Sequence, residues 1–389
     1  MIIKGIKYSR FPGMSRSWRI VGKDEEGDES YAEFGNLNLL IGKNAAGKSR
    51  TLDAIQEMAA LISGQHLVEQ TKYHTQLFDF IFTDKDNTYR YVLHFKEKVI
   101  LEESLYINDE KVLDRAQKTI IHGGKTHNLS AKLKETELLI NRKQDDKVFY
   151  FPEIVFWGFS LRTFFFSGQV EKDKYVEDLN SLALRDITSN MEDIGLIIPM
   201  FHWGRQDYGQ KFEQEILDSM NILGYNLTDI DIKKSRKGYC INVEEDGKYM
   251  VPQQEMSQGM FRALALFVLL ANAMWRNLSV CILVDDIGEG LDHERSKGFV
   301  DMIIRKTYDT QIQYFMSSND RYIMNHIHLK YWTVVERQND KSIFYNRFNS
   351  QKNFEDFRYT GLNNFDFYTT EFYRDGFGDD SDEYAEEGE

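Results

Sequence analysis

The residues with the clearest chemistry form one short loop, Gly42-Lys43-Asn44-Ala45-Ala46-Gly47-Lys48-Ser49, which matches the pattern G-x-x-x-x-G-K-[ST]. In such a loop the glycines let backbone N–H groups turn inward around phosphate groups, the lysine reaches the β and γ oxygens, and the hydroxyl binds Mg²⁺. We therefore predict that Gly42 to Ser49, together with Arg50, bind ATP and that Ser49 is a ligand of Mg²⁺. A tight glycine turn without a ligand is the plain alternative.

Two acids follow a strongly apolar segment near residue 280. Val280 to Val284 predicts a buried strand, and Asp285 and Asp286 come directly after it. At the end of such a strand, an acid in the place of Asp285 can hold Mg²⁺ through its water shell, and the next acid can position or deprotonate a water beside the γ-phosphate. We assign Asp285 to the metal and Asp286 to catalysis.

A third group, Ser257-Gln258-Gly259, stands where an apolar helix is predicted to begin. Ser257 is a good N-cap residue, and the free N–H groups at the positive end of a helix can bind a phosphate supplied by another molecule. Taken alone, the serine is explained as well by ordinary capping. The order along the chain favours phosphate binding, because the glycine loop comes first, Ser257 follows about two hundred residues later, and Asp285 comes after that.

The surrounding pattern predicts the elements that position these residues. The apolar strand Leu37 to Ile41 leads into the loop, and Lys48 to Ile62 has helical spacing. From Phe78 to Ile107, alternating apolar residues separated by polar turns predict an antiparallel meander. Further predicted elements are a strand over Met1 to Tyr8, helices near 172–183 and 208–222, a helix from Ser257 to Asn277, a strand over Val280 to Val284, a helix near Glu294 to Arg305 and a strand over Gln313 to Met316. Alternating strands and helices predict a parallel sheet.

These motifs together resemble the SMC/RecF/OLD group of ABC-type ATPases, and in particular the small ATP-binding proteins of bacterial anti-phage defence loci. The resemblance rests on the glycine loop, the meander, Met256 to Met260 as a signature, Asp285-Asp286, and Gly290-Leu291-Asp292 as a D-loop. It implies an α/β fold, namely an ABC-type P-loop ATPase head with a mixed and parallel sheet, an antiparallel β meander and a mainly helical insertion. It also implies that two copies dimerise around two ATP molecules, each held between the loop of one copy and Ser257, Gln258 and Gly259 of the other.

Two positions depart from this group. Its members usually carry a glutamate directly after the strand-end aspartate and a histidine after the next strand, whereas this chain has Asp286 and Asn319. A displacement near 1 Å of a catalytic group can lower a rate roughly a hundredfold, and asparagine cannot ionise near neutral pH. We therefore predict slow hydrolysis, with Asp286 and Asn319 as the catalytic residues.

We predict four segments along the chain. They are the amino-terminal part of the head at 1–110, an insertion at 111–249, the carboxy-terminal part of the head at 250–350, and an aromatic and acidic tail at 351–389. The tail's aromatic residues either pack on the head or form a docking segment for a partner. The 70 residues after Asn319 leave too little room for the nuclease domain of OLD-type proteins, so we expect any effector on a separate chain.

Composition narrows the function classes. The net charge is −14, which argues against a protein that coats nucleic acid. Eight acids lie in the last fifteen residues, which predicts a disordered end.

The cysteines predict neither a disulfide nor a zinc site, because Cys240 and Cys281 stand in unlike contexts. The longest apolar run, Ala263 to Ala273, is too short to span a bilayer. We expect a cytoplasmic protein without membrane contact. His326 and His328 lie two apart but lack further metal ligands.

Three functions remain open at this point. The leading hypothesis is an ATP-gated homodimer or higher homo-oligomer that controls a separate effector protein, a nuclease or toxin, in anti-phage defence. The alternative is a RecF-like DNA-repair ATPase that binds DNA through its ATP-closed dimer. A plain nucleotide hydrolase without a partner is disfavoured by the departures at Asp286 and Asn319.

Overall fold

A computed structural model describes residues 1–24, 26–129, 133–144, 147–165, 172, 175–179 and 197–378. The strands of this part of the chain are β1 Ile2–Arg10, β2 Trp18–Lys23, β3 Glu29–Ser30, β4 Ala32–Glu33, β5 Leu37–Ile41, β6 Gln76–Asp84, β7 Asn87–Lys96, β8 Val99–Ile107, β9 Glu110–Asp114, β10 Thr119–His122, β11 Lys125–Asn128, β12 Lys143–Gln144, β13 Val148–Phe149, β14 Arg162–Phe165, β15 Leu227–Ser235, β16 Gly238–Glu245, β17 Tyr249–Pro252, β18 Cys281–Asp285, β19 Gln313–Ser317, β20 Trp332–Gln338 and β21 Lys341–Asn346.

The α-helices of the same residues separate these strands. They are α1 Lys48–Ile62, α2 Pro152–Ser160, α3 Ile197–Tyr208, α4 Gln210–Ile222, α5 Gln258–Trp275, α6 His293–Thr307, α7 Arg321–His326, α8 Gln351–Asp356, α9 Asn364–Thr369 and α10 Phe372–Asp375.

Most strands join one mixed sheet. Its order is β11-β10-β9-β8-β7-β6-β1-β2-β21-β20-β5-β19-β18-β14, with β3 and β4 paired beside β2 and β1. The strands β20, β5, β19, β18 and β14 are parallel to one another, whereas β11 to β2 in this order are antiparallel. The mixed sheet and antiparallel meander predicted from the sequence are therefore confirmed.

The parallel strands β5, β18 and β19 are buried at every position because both faces of the sheet are covered. Alternate side chains of a strand point to opposite faces. In β18, Ile282 and Val284 face a core that contains α5 and α6, whereas Cys281 and Leu283 face the core of α1 and the meander. This double burial explains the continuous apolar runs that the sequence shows.

The predicted meander is formed by β6, β7 and β8 with the turns in the expected places. Phe78, Phe80 and Phe82 of β6 are fully buried in the core that also contains Tyr91 and Phe95 of β7. The period-2 alternation therefore identified both the strands and the buried face.

The insertion contains more strand than the sequence predicts. Helix α4 matches the helix expected near 208–222, but α3 precedes it and β15, β16 and β17 form a separate antiparallel sheet after it. The helix expected near 172–183 is wrong where the structure describes this segment, at 172 and 175–179, because Val176 makes a strand-like bridge to Tyr239 of β16; the other half of the segment lies outside the described residues. Tyr239, Ile241 and Val243 carry the alternation that favours a strand, and the sequence interpretation missed it.

The carboxy-terminal aromatic residues pack on the head. Phe354, Phe357, Phe367, Phe372 and Tyr373 are buried in the same core as α5 and α6. The packing alternative therefore holds for this part of the predicted tail. The acidic end, residues 379–389, lies outside the described residues.

Helix α5 is long and apolar enough to cross a membrane, but 83% of it is buried inside the protein, as in a core helix. Both cysteines are buried free thiols. His326 pairs with Asp301 at 2.8 Å, and the Nδ1 atom of His328 accepts a hydrogen bond from the Lys330 N–H at 3.0 Å. In the described part of the chain, no group of three or more His, Cys, Asp or Glu side chains could hold a metal ion.

Candidate functional site

The glycine loop lies between β5 and α1, and two of its glycines are required by their neighbours. A Cβ atom at Gly42 would lie 2.4 Å from the Val335 carbonyl oxygen of β20. At Gly47 the backbone has a φ of +117°, and a Cβ atom there would lie 2.5 Å from the Ser342 hydroxyl. The loop can therefore follow this path only with glycine at both positions.

Residues far away in sequence hold the loop in place. The Ser342 hydroxyl of β21 donates a hydrogen bond to the Ala46 carbonyl oxygen at 2.6 Å and accepts one from the Trp18 indole N–H at 2.9 Å. Both Ser342 and Trp18 are buried. The sequence interpretation missed them, because a single serine in a strand has no local signal that links it to a loop 296 residues away.

Lys48 is buried at the base of the loop with 7% of its surface exposed. Its ammonium group donates hydrogen bonds to the Gly42 carbonyl at 2.8 Å, the Lys43 carbonyl at 3.4 Å and the Asn319 side-chain oxygen at 2.9 Å. Burial lowers the pKa of Lys48, and the carboxylates of Asp286 and Asp285 act in the opposite direction. Asn319 also donates to the Asn44 side-chain oxygen at 3.1 Å, so it joins the loop to the end of β19.

The two predicted acids lie at the end of β18, as expected. Asp285 is 6% exposed and accepts a hydrogen bond from the Ser317 hydroxyl, which in turn accepts one from the Asp286 N–H at 2.8 Å. Asp286 adopts a φ of +51°, a conformation that turns the chain away from the strand. Burial and the neighbouring Asp285 raise the pKa of the Asp286 carboxyl.

These groups enclose a cavity of about 230 Å³ at the carboxyl ends of β5, β18 and β19. Its lining consists of Asn44, Ala45, Gly47, Lys48, Ser49, Arg50, Asp286 and Asn319. The structure thus brings together the predicted loop and both predicted catalytic residues. Asp285 contributes to the electrostatics of Lys48 from just outside the lining.

The predicted signature residues lie elsewhere, at the start of α5. Ser257 caps this helix, because its hydroxyl accepts a hydrogen bond from the Met260 N–H at 3.1 Å. The side chains of Ser257 and Gln258 are exposed, whereas Gly259 is buried. None of the three lines the cavity in this single described chain.

Gly259 packs directly against the predicted D-loop. A Cβ atom on Gly259 would lie 2.5 Å from the Gly290 carbonyl oxygen and 2.7 Å from the Leu291 side chain. Nearby, Arg262 of α5 donates to the Glu289 carbonyl oxygen at 2.6 Å. The start of α5 and the segment after β18 therefore form one packed unit.

We expect Gly259→Ala to lower the free energy of unfolding by about 1–3 kcal/mol, because the added methyl group must displace backbone rather than a flexible side chain. Urea denaturation followed by circular dichroism measures this. Gly35→Ala is the matched control, since its Cβ atom would meet nothing closer than 3.6 Å. Equal effects of both substitutions would contradict the close packing.

The residues present fit a nucleotide with Mg²⁺. The cradle at Gly47 has no room for a Cβ atom, a buried lysine stands at its base, and the exposed Ser49 hydroxyl and the Asp285 carboxylate are oxygen ligands of the kind Mg²⁺ prefers. When bound, the ion would neutralise charge on the phosphate oxygens.

A glycine loop between a buried parallel strand and a helix, with two acids at the end of a second parallel strand, defines a P-loop ATPase head of the ABC type. Residues 37–325 match the AAA_21 family, described as "AAA domain, putative AbiEii toxin, Type IV TA system". The chain belongs to this family. No curated protein matches the sequence.

Solved SMC heads are similar to this chain in structure at low sequence identity. One, an SMC head bound to the C-winged helix domain of ScpA, has a TM-score of 0.51 and 12% identity, with coverage of 88% of this chain and 97% of that chain. The SMC head domain from Thermotoga maritima has a TM-score of 0.45, 14% identity and coverage of 89% and 99%. A Smc head with an extended coiled coil, bound to the C-terminal domain of ScpA from Pyrococcus furiosus, has a TM-score of 0.49, 11% identity and coverage of 92% and 99%.

Proposed function

We propose that this ATPase binds Mg²⁺-ATP in the cavity at Lys48, closes as a homodimer or a higher homo-oligomer around the nucleotide, and thereby regulates a separate effector protein in the cytoplasm. The observation that supports this proposal is that the predicted ATP-binding residues lie in two separate places on one chain. The cavity holds the phosphate loop, Asp286 and Asn319, whereas Ser257 and Gln258 are exposed outside it at the start of α5. An exposed helix start with free N–H groups can complete the site of a second copy.

Slow hydrolysis is part of the proposal. Asp286 offers a carboxylate on a short side chain, and Asn319 already donates and accepts hydrogen bonds with Asn44 and Lys48. Asn319 can donate to a phosphate oxygen but has no proton to gain or lose near neutral pH. Both features favour a state in which ATP stays bound for a long time. Such a state fits a protein that is held closed by ATP better than one that hydrolyses ATP rapidly.

The effector and its biology are inferred from the family. The family description names the AbiEii toxin of a Type IV toxin–antitoxin system, and one SMC head of the same fold was solved with a bound ScpA domain. We propose on this basis that the effector is a nuclease or toxin on a separate chain, acting in anti-phage defence.

Dimer closure is tested by Ser257→Arg, which places bulk where the opposite γ-phosphate would lie. We expect this variant to remain open with a non-hydrolysable ATP analogue in light scattering, while its ATP affinity stays within about twofold, because the phosphate loop is intact. Ser257→Ala is the matched control: it loses the cap, at about 1 kcal/mol, without adding bulk, and should still close. Closure of the arginine variant like that of wild type would refute the proposed interface. If the protein is always oligomeric, cross-linking across α5 replaces light scattering.

The partner is tested by purifying the tagged protein from its native host with ATP and identifying the accompanying proteins by mass spectrometry. We expect one effector that is recovered with wild type and lost with Ser257→Arg. ATP-dependent DNA binding that weakens steeply with salt, without such an effector, would favour the DNA-repair alternative instead.

A further inference from the structure

A second and larger cavity lies at the opposite end of the parallel strands. It has a volume of about 420 Å³ and is lined by Ser160, Arg162, Trp203, Leu269, Trp275 and Val280, among others. Arg162 begins β14 and Val280 directly precedes β18. The amino ends of these strands therefore face this cavity, whereas Asp285 and Asp286 lie at the carboxyl end of β18. The two cavities are distinct.

Arg162 is the unusual group of this cavity, because its guanidinium is buried and no carboxylate of the described residues pairs with it. The residue is 8% exposed, and its Nη1 atom donates to the Phe159 and Leu161 carbonyl oxygens, both at 2.7 Å. Its Nε atom is buried with no hydrogen-bond partner, and among the described residues no carboxylate forms an ion pair with Arg162. Burial lowers the pKa of Arg162 to about 10. Carbonyl oxygens satisfy part of this group but do not neutralise its charge, and a buried charge that is not neutralised is costly, so an anion supplied from outside would be favoured.

Three other polar residues that line the cavity, Arg276, Asn272 and Ser279, have partners of their own. Arg276 pairs with Asp207 at 2.6 Å. The Asn272 amide donates to the Met200 carbonyl at 3.1 Å, and the Ser279 hydroxyl accepts from the amino-terminal ammonium group of Met1 at 2.8 Å. The remaining wall is largely apolar and includes two indole rings, those of Trp203 and Trp275. An apolar wall beside a cation that no described carboxylate neutralises is typical of a small-molecule site.

We propose that this cavity binds a small amphipathic organic anion, whose acidic group pairs with the Arg162 guanidinium and whose flat apolar body lies against Trp203, Trp275 and Leu269. The volume suits a ligand of two or three fused or linked rings. Arginine is suited to the acidic group, because a charge-assisted hydrogen bond from a guanidinium to a carboxylate, sulfonate or phosphate is roughly twice as strong as a neutral one. The proposal does not depend on dimer closure or on the identity of an effector.

The test uses two fluorescent probes with the same rings, 8-anilinonaphthalene-1-sulfonate and the uncharged N-phenyl-1-naphthylamine. Both are titrated into the full chain with ATP present, so that neither occupies the nucleotide cavity. We expect Arg162→Met to weaken sulfonate binding at least roughly tenfold and to leave binding of the uncharged probe within about twofold, because only the charge-assisted hydrogen bonds are lost. Arg236→Met, an exposed arginine in the turn between β15 and β16, is the control for the change in net charge and should bind both probes as wild type does.

A second variant tests the place of binding. Ala273 lines the cavity and is 2% exposed, so Ala273→Phe should fill the space and abolish binding of both probes. Circular dichroism melting shows whether each variant is folded. If Arg162→Met does not fold, the result with Ala273→Phe decides whether the probes bind in this cavity. The proposal is overturned if wild type binds neither probe, if the sulfonate binds equally to wild type and folded Arg162→Met, or if Ala273→Phe binds both as before. ATP affinity is measured separately, so failure of the nucleotide site is a different result.

Discussion

Replacing Lys48 by alanine should weaken ATP binding at least roughly a hundredfold, equivalent to about 3 kcal/mol of binding free energy. The ammonium group is buried at the base of the cavity and points at the Gly42 and Lys43 carbonyls and at Asn319. A phosphate would take over these hydrogen bonds and add charge, because a phosphate oxygen is a stronger acceptor than a carbonyl. Isothermal titration calorimetry with Mg²⁺-ATP measures the change.

The fold of the Lys48→Ala variant should stay intact. The substitution removes an ammonium group that donates hydrogen bonds to three oxygen atoms. Asn319 lines the open cavity, where water can replace the donor, so the free energy of unfolding should fall by only ~1 kcal/mol. Lys211→Ala, an exposed position on α4, is the control. An unchanged ATP affinity in Lys48→Ala would refute the assignment of the loop.

The sequence predicted the nucleotide cavity well because its parts carry local signals. Strand β5 and helix α1 have the predicted bounds, Leu37–Ile41 and Lys48–Ile62. A glycine pattern fixes the turn between them, and a five-residue apolar run followed by two acids fixes the end of β18. Such signals depend on neighbours in sequence, so they can be interpreted without knowing the tertiary structure.

What the sequence did not predict depends on contacts between distant residues. The Lys48 to Asn319 hydrogen bond joins positions 271 apart, and Ser342 supports the loop from 296 residues away. The sequence did not predict that Arg162 is buried, because Arg162 lies in an aromatic segment without periodicity. Its burial results from the way α3 and α5 pack beside β14. Local sequence pattern predicts helices and strands. Whether a carboxylate lies near Arg162 depends instead on the tertiary packing, and none of the described residues supplies one.

The Asp286 backbone bears on why hydrolysis should be slow. The Asp286 N–H donates a hydrogen bond to the Ser317 hydroxyl, which also donates to Asp285. Together with the φ of +51°, this hydrogen bond fixes the direction in which the Asp286 side chain leaves the backbone. The carboxylate therefore has little freedom to compensate for its short reach by moving the backbone. A one-methylene deficit at a fixed backbone position translates directly into distance from the attacked phosphorus.

We accordingly expect Asp286→Glu to raise the hydrolysis rate roughly tenfold or more, equivalent to about 1.4 kcal/mol or more off the activation barrier. Asp286→Asn should lower the rate by about a hundredfold to ten-thousandfold, because an amide cannot take a proton from the attacking water. The asparagine variant should also accumulate as a closed dimer with ATP bound. Single-turnover hydrolysis at saturating ATP and Mg²⁺ measures all three proteins, and size-exclusion chromatography measures the dimer.

Glu289→Gln distinguishes the effect of the length of the Asp286 side chain from the effect of the negative charge around it. Glu289 is exposed and its negative charge contributes to the raised pKa of Asp286, so removing it alters the electrostatics without changing the length of the Asp286 side chain. We expect its rate to stay within about threefold of wild type, because an exposed charge acts through screening solvent. If Asp286→Glu is slower than wild type while Glu289→Gln is unaffected, the site is built around aspartate, and slow turnover can no longer be attributed to a carboxylate that falls short of the phosphate.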